Sequence, residues 1–267
     1  MKNNFDEKKS LIEYFELFGN NQSLDYSLFN VDALDNENCN ALMYALIFNK
    51  EKSLNLSDTQ LDYLIRNTNL KKQDNYKQNA LMYAITYSKT ENLNLNPQQI
   101  DYLIKNTDLS QQTTAGYTAL MYLFSEENDD SLNFNGEQIS YLIKNSNLQK
   151  TTNHGDCLII FMLKNKNSLN FTNEHYNCVM NAYDFKDKSN QKTLCKLLSF
   201  LIRKDNCHLF SIFWKYNDEK DFIFEFIKTN SDYQKLLQNK DLMSYDERKK
   251  INEQVLLISK KKQINKL

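Results

Sequence analysis

Two short motifs in this chain place a cysteine three positions after a histidine. The pairs are His154 with Cys157 and His175 with Cys178. Imidazole and thiolate groups are the usual ligands of zinc, so the four side chains would complete a tetrahedral site if the fold brought them together. The alternative is structural, because small buried cysteines are common and His154 falls in a connecting segment. We predict no metal and no cofactor, and keep these four residues as the metal candidates.

Other reactive combinations are poorly arranged for catalysis. Cys207 and His208 are adjacent in the chain, and neighbouring residues rarely meet in the geometry that nucleophilic attack requires. The main cluster of carboxylates, expected in a solvated loop, comprises Glu126, Glu127, Asp129 and Asp130. With only 4 glycines the chain has no phosphate-binding loop, and it contains neither a nucleophile elbow nor the kinase motifs. We therefore expect a protein that is not an enzyme.

Most of the chain repeats one unit at a fixed interval. Successive copies of the segment Ala-Leu-Met-Tyr begin at Ala41, Ala80 and Ala119, so that 80 − 41 = 39 and 119 − 80 = 39. A degraded copy follows in the same register at Leu158. The second half of the unit recurs with the same spacing at Gln60, Gln99 and Gln138. A period between about 20 and 50 residues is the signature of a solenoid, in which stacked units share one core.

Each unit is predicted to contain two short helices. Apolar residues recur at helical spacing over residues 80–85, which predicts the first helix. The second begins after Asn96, with Pro97 at the first helical position and Gln99 three residues after the capping side chain. Between the helices, an alternating Leu-Asn-Leu segment from Leu93 is expected to anchor an extended connection in the core.

Aromatic side chains occupy one position in four successive units: Tyr44, Tyr83, Tyr122 and Phe161. Stacked units would align them, and two further tyrosines, Tyr76 and Tyr117, fall in the variable connectors between units. Aromatic residues are frequent anchors at protein interfaces, so we predict that these six residues bind a protein partner. The alternative, left open by the sequence, is that the rings pack between units as core.

Composition excludes several other classes of protein. Lys and Arg number 33 against 34 Asp and Glu, a net charge of −1 that gives no reason to expect nucleic acid as a partner. No apolar run approaches the length of a membrane helix. The 5 cysteines, an odd number at irregular positions, favour reduced thiols. We predict a monomer in the cytoplasm, or one delivered into the cytosol of a host cell.

Residues 116–123, Gly-Tyr-Thr-Ala-Leu-Met-Tyr-Leu, resemble the signature of the ankyrin repeat family. The resemblance covers roughly residues 31–181 and implies an all-α, ankyrin-like solenoid of helix-turn-helix units that binds a protein. The period of 39 exceeds the ankyrin 33, which we attribute to an insertion between the two helices. Methionine replaces the family's histidine at Met43, Met82 and Met121. Gly116 and Gly155 keep the hairpin glycine, whereas Asn38 and Lys77 replace it, so a plain helical pair is the alternative in the early units.

The predicted domains are a capping helix with a partial repeat (1–39), the repeat array (40–206) and a helical C-terminal cap with a basic tail (207–267). Residues 192–206 are interpreted as a fifth unit, out of register. The aromatic segment from His208 is expected to cover the last unit, with an exposed docking patch as the alternative. The predicted function is protein binding, as in ankyrin proteins that intracellular bacteria use in host cells. The alternative is a toxin or enzyme whose C-terminal segment carries the activity while the repeats select the target.

Overall fold

The computed structural model describes residues 8–87, 93–125, 132, 134–164, 172–203 and 209–230. Regular structure in these residues is helical, which confirms the all-α fold class; the strand-like pairings are two isolated bridges. The helices are α1 (Leu11–Phe18), α2 (Ala41–Phe48), α3 (Asp58–Asn67), α4 (Ala80–Tyr87), α5 (Pro97–Asn106), α6 (Ala119–Leu123), α7 (Gly136–Asn145), α8 (Leu158–Lys164), α9 (Asn173–Met180), α10 (Lys188–Leu201), α11 (Leu209–Tyr216) and α12 (Lys220–Thr229). None of these helices is long and apolar enough to cross a membrane.

The chain divides into two compact units, Met1–Val179 and Met180–Leu267. This boundary falls earlier than the one predicted after residue 206. Helix α10, which the sequence suggested as a fifth repeat of the array, therefore belongs to the second unit.

The first unit is a stack of helix pairs. The first helix of each pair packs on the first helix of the next, and second helices pack on second helices. Helix α2 packs on α4, α4 on α6 and α6 on α8, while α3 packs on α5 and α5 on α7. The first helix of a pair is buried on nearly all sides; in α4 every residue from Ala80 to Ile85 is buried. The second helix is amphipathic, and α5 buries only Gln99, Ile100, Leu103 and Ile104. A helix enclosed by neighbours needs apolar residues all round, whereas one at the surface needs a single apolar stripe.

The second helices begin as the sequence predicts. Ser57 with Gln60, Asn96 with Gln99, and Asn135 with Gln138 each form a reciprocal capping box. These glutamines are buried, and the amide groups of Gln99 and Gln138 also reach the preceding pair. Gln99 Nε2 donates to the Asp58 carbonyl (3.3 Å) and Gln138 Nε2 donates to the Pro97 carbonyl (3.1 Å). One residue type therefore both starts a helix and joins adjacent pairs.

The second unit contains α10, α11 and α12. Its aromatic side chains Phe210, Phe213 and Trp214 are buried, so these three do not form an exposed patch. The turn before α12 is bonded to the segment before α10: Asn217 Nδ2 donates to the Met180 carbonyl (3.0 Å), and the Phe185 backbone N–H donates to Glu219 Oε2 (2.7 Å). Asn217 is itself buried, so its amide is satisfied inside the unit.

Candidate functional site

Four connectors in the first unit form the same tight hairpin. In each, the N–H of the fourth residue donates to the carbonyl of the first: Asn38 to Asp35 (3.1 Å), Lys77 to Asp74 (3.0 Å), Gly116 to Thr113 (2.9 Å) and Gly155 to Thr152 (2.8 Å). The fourth residue has a left-handed backbone in every case, with φ of 62°, 59°, 86° and 80°. A turn of this kind followed by a left-handed residue is a common hairpin connection. The alternative of a plain helical pair in the early units is therefore wrong, since Asn38 and Lys77 adopt the conformation that glycine takes later.

A polar side chain at the first position holds each loop closed. Asp74 Oδ1 accepts from the Gln78 N–H (2.6 Å), and Thr113 Oγ1 accepts from the Tyr117 N–H (3.1 Å). Asp35 and Thr152 make the equivalent bonds in the first and fourth hairpins. Short polar side chains that bond nearby backbone groups are typical of such turns.

Backbone hydrogen bonds join successive hairpin tips in a row. The Asn75 N–H donates to the Glu37 carbonyl (2.9 Å), Thr114 donates to Tyr76 (2.8 Å) and Asn153 donates to Ala115 (3.0 Å). The outermost residues of the tips, all exposed, are Glu37, Tyr76, Ala115 and His154. The repeated hairpin backbone thus presents a different side chain at the same position in each of four repeats.

The aligned aromatic residues of the first helices lie mostly in the core. Tyr44, Tyr83 and Phe161 are 3%, 6% and 8% exposed. Tyr122 is half-buried. Three of the four rings are therefore packed between repeats. The sequence had left this packing and partner binding equally open. A buried ring is not available as a contact residue unless the stack opens.

Tyr83 also closes a buried polar cluster. Its hydroxyl donates to Asp74 Oδ2, and both residues are buried. Burial, reinforced by the hydrogen bond to Asp74 and by its charge, raises the pKa of Tyr83. Burial, followed by the charge of Asp35, raises the pKa of the nearby Cys39 thiol to about 12. Tyr83 and Cys39 are consequently protonated at neutral pH. The bond from Tyr83 to Asp74 ties the hairpin to α4.

Tyr117 and Tyr122 sit at the border between core and surface. The Tyr117 ring lies 5.4 Å from that of Tyr122 and 5.5 Å from that of Phe161. Gln78 Nε2 donates to the Tyr122 hydroxyl (3.2 Å) from the preceding hairpin. Both tyrosines are half-buried, so each has an accessible edge beside the tips.

Tyr76 and Tyr87 are the exposed aromatic residues of this region. Tyr76, predicted as a contact residue, is 60% exposed at its tip. Tyr87 was not predicted; it ends α4, its ring stacks at 5.9 Å on that of Tyr83, and it lies near enough to Tyr122 to affect its pKa. Its position four residues after Tyr83 on one helix was the available signal. We call Tyr76, Tyr87 and the exposed edge of Tyr122, with the outermost tip residues, the tip surface.

The metal candidates fall in different surroundings. His154 and Cys178 are exposed, whereas Cys157 is buried at the start of α8, where burial raises the pKa of its thiol to about 11. His175 is buried at the start of α9. In the described part of the chain, no three His, Cys, Asp or Glu side chains are grouped as metal ligands.

His175 occupies the position that glutamine fills in the earlier pairs. The Thr172 N–H donates to His175 Nδ1 (3.3 Å), and the His175 N–H donates to Thr172 Oγ1 (3.3 Å), a reciprocal cap like those of the other second helices. His175 Nε2 lies 2.7 Å from Ser140 Oγ, which donates its own proton to the Gly136 carbonyl (2.8 Å). Nδ1 therefore accepts and Nε2 carries the proton. Both ring nitrogens are engaged in structural bonds.

An open pocket of about 590 Å³ lies beside His175, at the starts of α7 and α9. It is lined by Asn135, Gly136, Glu137, Ser140, Thr172, Glu174 and His175. Because the imidazole and Ser140 bond each other and the helix caps, they are held in place by the fold. The pocket also exposes the carboxylates of Glu137 and Glu174. His175 and Ser140 are both engaged in hydrogen bonds, so neither is placed to act as a general base.

Two further groups singled out in the sequence lie outside the described residues. They are the carboxylate cluster of Glu126, Glu127, Asp129 and Asp130, and the adjacent pair Cys207 and His208.

Comparison of the chain with family models, with curated proteins and with solved structures gives no match in any of the three.

Proposed function

We propose that this protein is a non-catalytic interaction module that binds a protein partner through the tip surface. The observation that carries the proposal is the contrast between a frame that repeats and tips that differ. The outermost tip residue changes from Glu37 to Tyr76, Ala115 and His154, while the hairpin bonds beneath it are the same in each unit. A rigid scaffold with variable exposed positions is how recognition surfaces are commonly built.

The proposal includes an ankyrin-like solenoid as the architecture of the first unit. Its support is that helix contacts, helix caps and tip-to-tip bonds recur at the repeat interval. Asn38 and Lys77 replace the glycine of the family's hairpin, yet the hairpin forms at both positions. This adds to the ankyrin resemblance in the early repeats. The same resemblance extends the proposal to a partner in the cytosol of a host cell.

Aromatic contacts on the tip surface would supply most of the affinity. Tyr76 and Tyr87 are exposed, and Tyr122 in the following repeat is half-buried. Tyrosine provides wide contact area at low entropic cost, and a few such residues dominate most interfaces. Tyr83 is excluded as a contact residue, since its replacement would disturb the buried bond to Asp74 before it affected any partner.

The test is an affinity capture with three baits, from lysates of the producing organism and of eukaryotic cells in parallel. The baits are the wild-type chain, the double variant Tyr76→Ala with Tyr87→Ala, and a control double variant, Phe18→Ala with Leu28→Ala. The control removes two exposed apolar side chains from a different surface. All three baits should remain folded, which their melting curves check, because Tyr76, Phe18 and Leu28 are largely exposed and Tyr87 is 37% exposed.

We expect a partner that wild type and control retain and that the tyrosine variant loses. Titration of the purified partner should then show affinity weakened about tenfold or more by the two tyrosine substitutions, the size typical of losing interface anchors. A partner held equally by all three baits would remove the tip surface as its site. Failure to capture any partner from either lysate would count against the binding function itself.

A further inference from the structure

Helix α9, the second helix of the last pair, is attached to α7 through a titratable side chain. His175 Nδ1 accepts the hydrogen bond from the Thr172 N–H that caps α9, and His175 Nε2 lies 2.7 Å from Ser140 Oγ on α7. Glutamine, which does not titrate, fills this position at Gln99 in α5 and Gln138 in α7. Helix α9 also packs less extensively on α7 than α5 does. The imidazole therefore provides a large part of the attachment of α9.

This attachment requires a neutral ring. Ser140 Oγ donates its own proton to the Gly136 carbonyl (2.8 Å), so Nε2 carries the ring proton and Nδ1 accepts from the Thr172 N–H. Protonation adds a hydrogen to Nδ1, and two donors then face each other. The cap that His175 provides to α9 cannot persist in that state.

Carboxylates beside the ring offer the protonated form another position. The open pocket of about 590 Å³ at the starts of α7 and α9 has His175 in its wall, with the exposed Glu137 and Glu174 in the same lining. Burial lowers the pKa of His175; Glu174 opposes that shift, and Lys144 on α7 adds to it. A charged ring can therefore exchange its cap for solvent and a carboxylate in the pocket.

We propose that His175 is a pH-sensitive switch: the neutral ring holds α9 on α7, and protonation releases α9 as the ring turns towards Glu174. The released ring has an ordinary pKa of about 6.5, above the lowered pKa of the attached ring. Release is therefore favoured progressively as the pH falls from about 6.5 towards the lowered value. Helices α3, α5 and α7, which are capped by glutamine, should stay attached. The switch is separate from the tip surface and from any partner bound there.

Hydrogen exchange of the full-length chain tests the proposal, read by mass spectrometry from neutral to mildly acidic pH, with labelling times scaled for the intrinsic exchange rate. Protection of the α9 amides (Asn173–Met180) should fall relative to that of α5. Between the two pKa values the expected fall is about tenfold for each pH unit, because one proton is taken up on release. In His175→Gln, which restores the residue of the other caps, the protection of α9 should follow that of α5 at every pH.

A second variant tests where the protonated ring goes. Glu174→Gln removes the carboxylate that favours the charged ring, so the loss of protection in α9 should begin at a lower pH than in the wild type. Three results would each overturn the switch: full protection of α9 in acid, an equal loss in His175→Gln, or a loss shared evenly by all the second helices. An unchanged onset in Glu174→Gln would overturn the movement of the ring towards that carboxylate.

Discussion

At the scale of single residues, His175 is the clearest case of a reactive side chain used for structure. It caps α9 through Nδ1, as glutamine oxygens cap α3, α5 and α7, and it reaches the preceding pair through Nε2. Glutamine is always neutral, whereas histidine can be protonated. A protonated ring cannot accept the bond from the Thr172 N–H, so this one pair should depend on pH where the others do not.

We expect the stability contributed by His175 to fall in mild acid. Burial lowers the pKa of His175 in the folded chain; Lys144 lowers it further and Glu174 opposes the shift. In the unfolded chain the pKa is about 6.5. The unfolded state therefore takes up the proton first, so the contribution is complete above about pH 6.5 and is lost as pH falls from there towards the folded pKa. Urea denaturation of the wild type at a series of pH values from neutral to mildly acidic measures it.

The variant His175→Gln is the matched control for this prediction. It restores the residue found at Gln60, Gln99 and Gln138 and removes the titrating group. Wild type should lose stability relative to this variant as the pH is lowered, while their difference at neutral pH and above stays constant. Parallel stability curves for the two proteins across the acidic range would show that His175 is not linked to folding in this way.

At the scale of elements, the hairpins explain why different residues can fill one position. The fourth residue needs a positive φ, which glycine adopts freely and other residues adopt at a cost. Gly116 and Gly155 have that conformation, but their surroundings differ. A Cβ added at Gly116 would lie 2.8 Å from the Asn153 nitrogen and 2.9 Å from the Thr152 Cα, whereas one added at Gly155 would meet nothing within 4 Å.

We expect Gly116→Ala to be clearly more destabilising than Gly155→Ala. Gly155→Ala lowers the free energy of unfolding by about 1 kcal/mol, because alanine must adopt a left-handed backbone there. Gly116→Ala adds a collision with the backbone of the next hairpin, which raises the loss in free energy of unfolding to roughly 2–4 kcal/mol. Urea denaturation followed by circular dichroism compares the two. Equal losses would mean that the hairpins are not in contact as the structure has them.

At the scale of the whole molecule, the repeat means that one period could be removed from the first unit, as it could not from an ordinary domain. If each pair contacts only its neighbours, removing one complete period reconnects equivalent surfaces. Helix α6 would then pack on α2 through the contacts that α4 now makes. The proposed solenoid therefore leads to a prediction about deletions.

Deleting residues 79–117, which is one period because 117 − 78 = 39, should leave a cooperatively folding protein with a lower melting temperature. Deleting residues 79–113, which is 113 − 78 = 35 residues, removes a similar length but breaks the register. That variant should lose helical signal and cooperativity, because its remaining hairpin and helices no longer match their neighbours. Calorimetry and circular dichroism of both proteins measure the outcome, and similar behaviour of the two deletions would contradict a stack of equivalent pairs.

Features that depend on local pattern were predictable from the sequence. The period, the two helices of each pair and the start of α5 at Pro97 follow from spacing that neighbouring residues impose. The capping boxes are equally local, since a side chain and the backbone three residues away complete them. Burial of Leu93 in the connection was predictable from the same alternation of apolar and polar residues.

Which side chains face water depends on the packing of the folded chain. Tyr83 and Tyr87 are one turn apart on α4, yet one is buried against Asp74 and the other is exposed. The hairpins at Asn38 and Lys77, and the boundary between the compact units, also lay beyond the sequence pattern. The physical reason is the same in each case: the deciding contacts come from residues distant in the chain, and a pattern within one unit does not show which side of that unit its neighbours will cover.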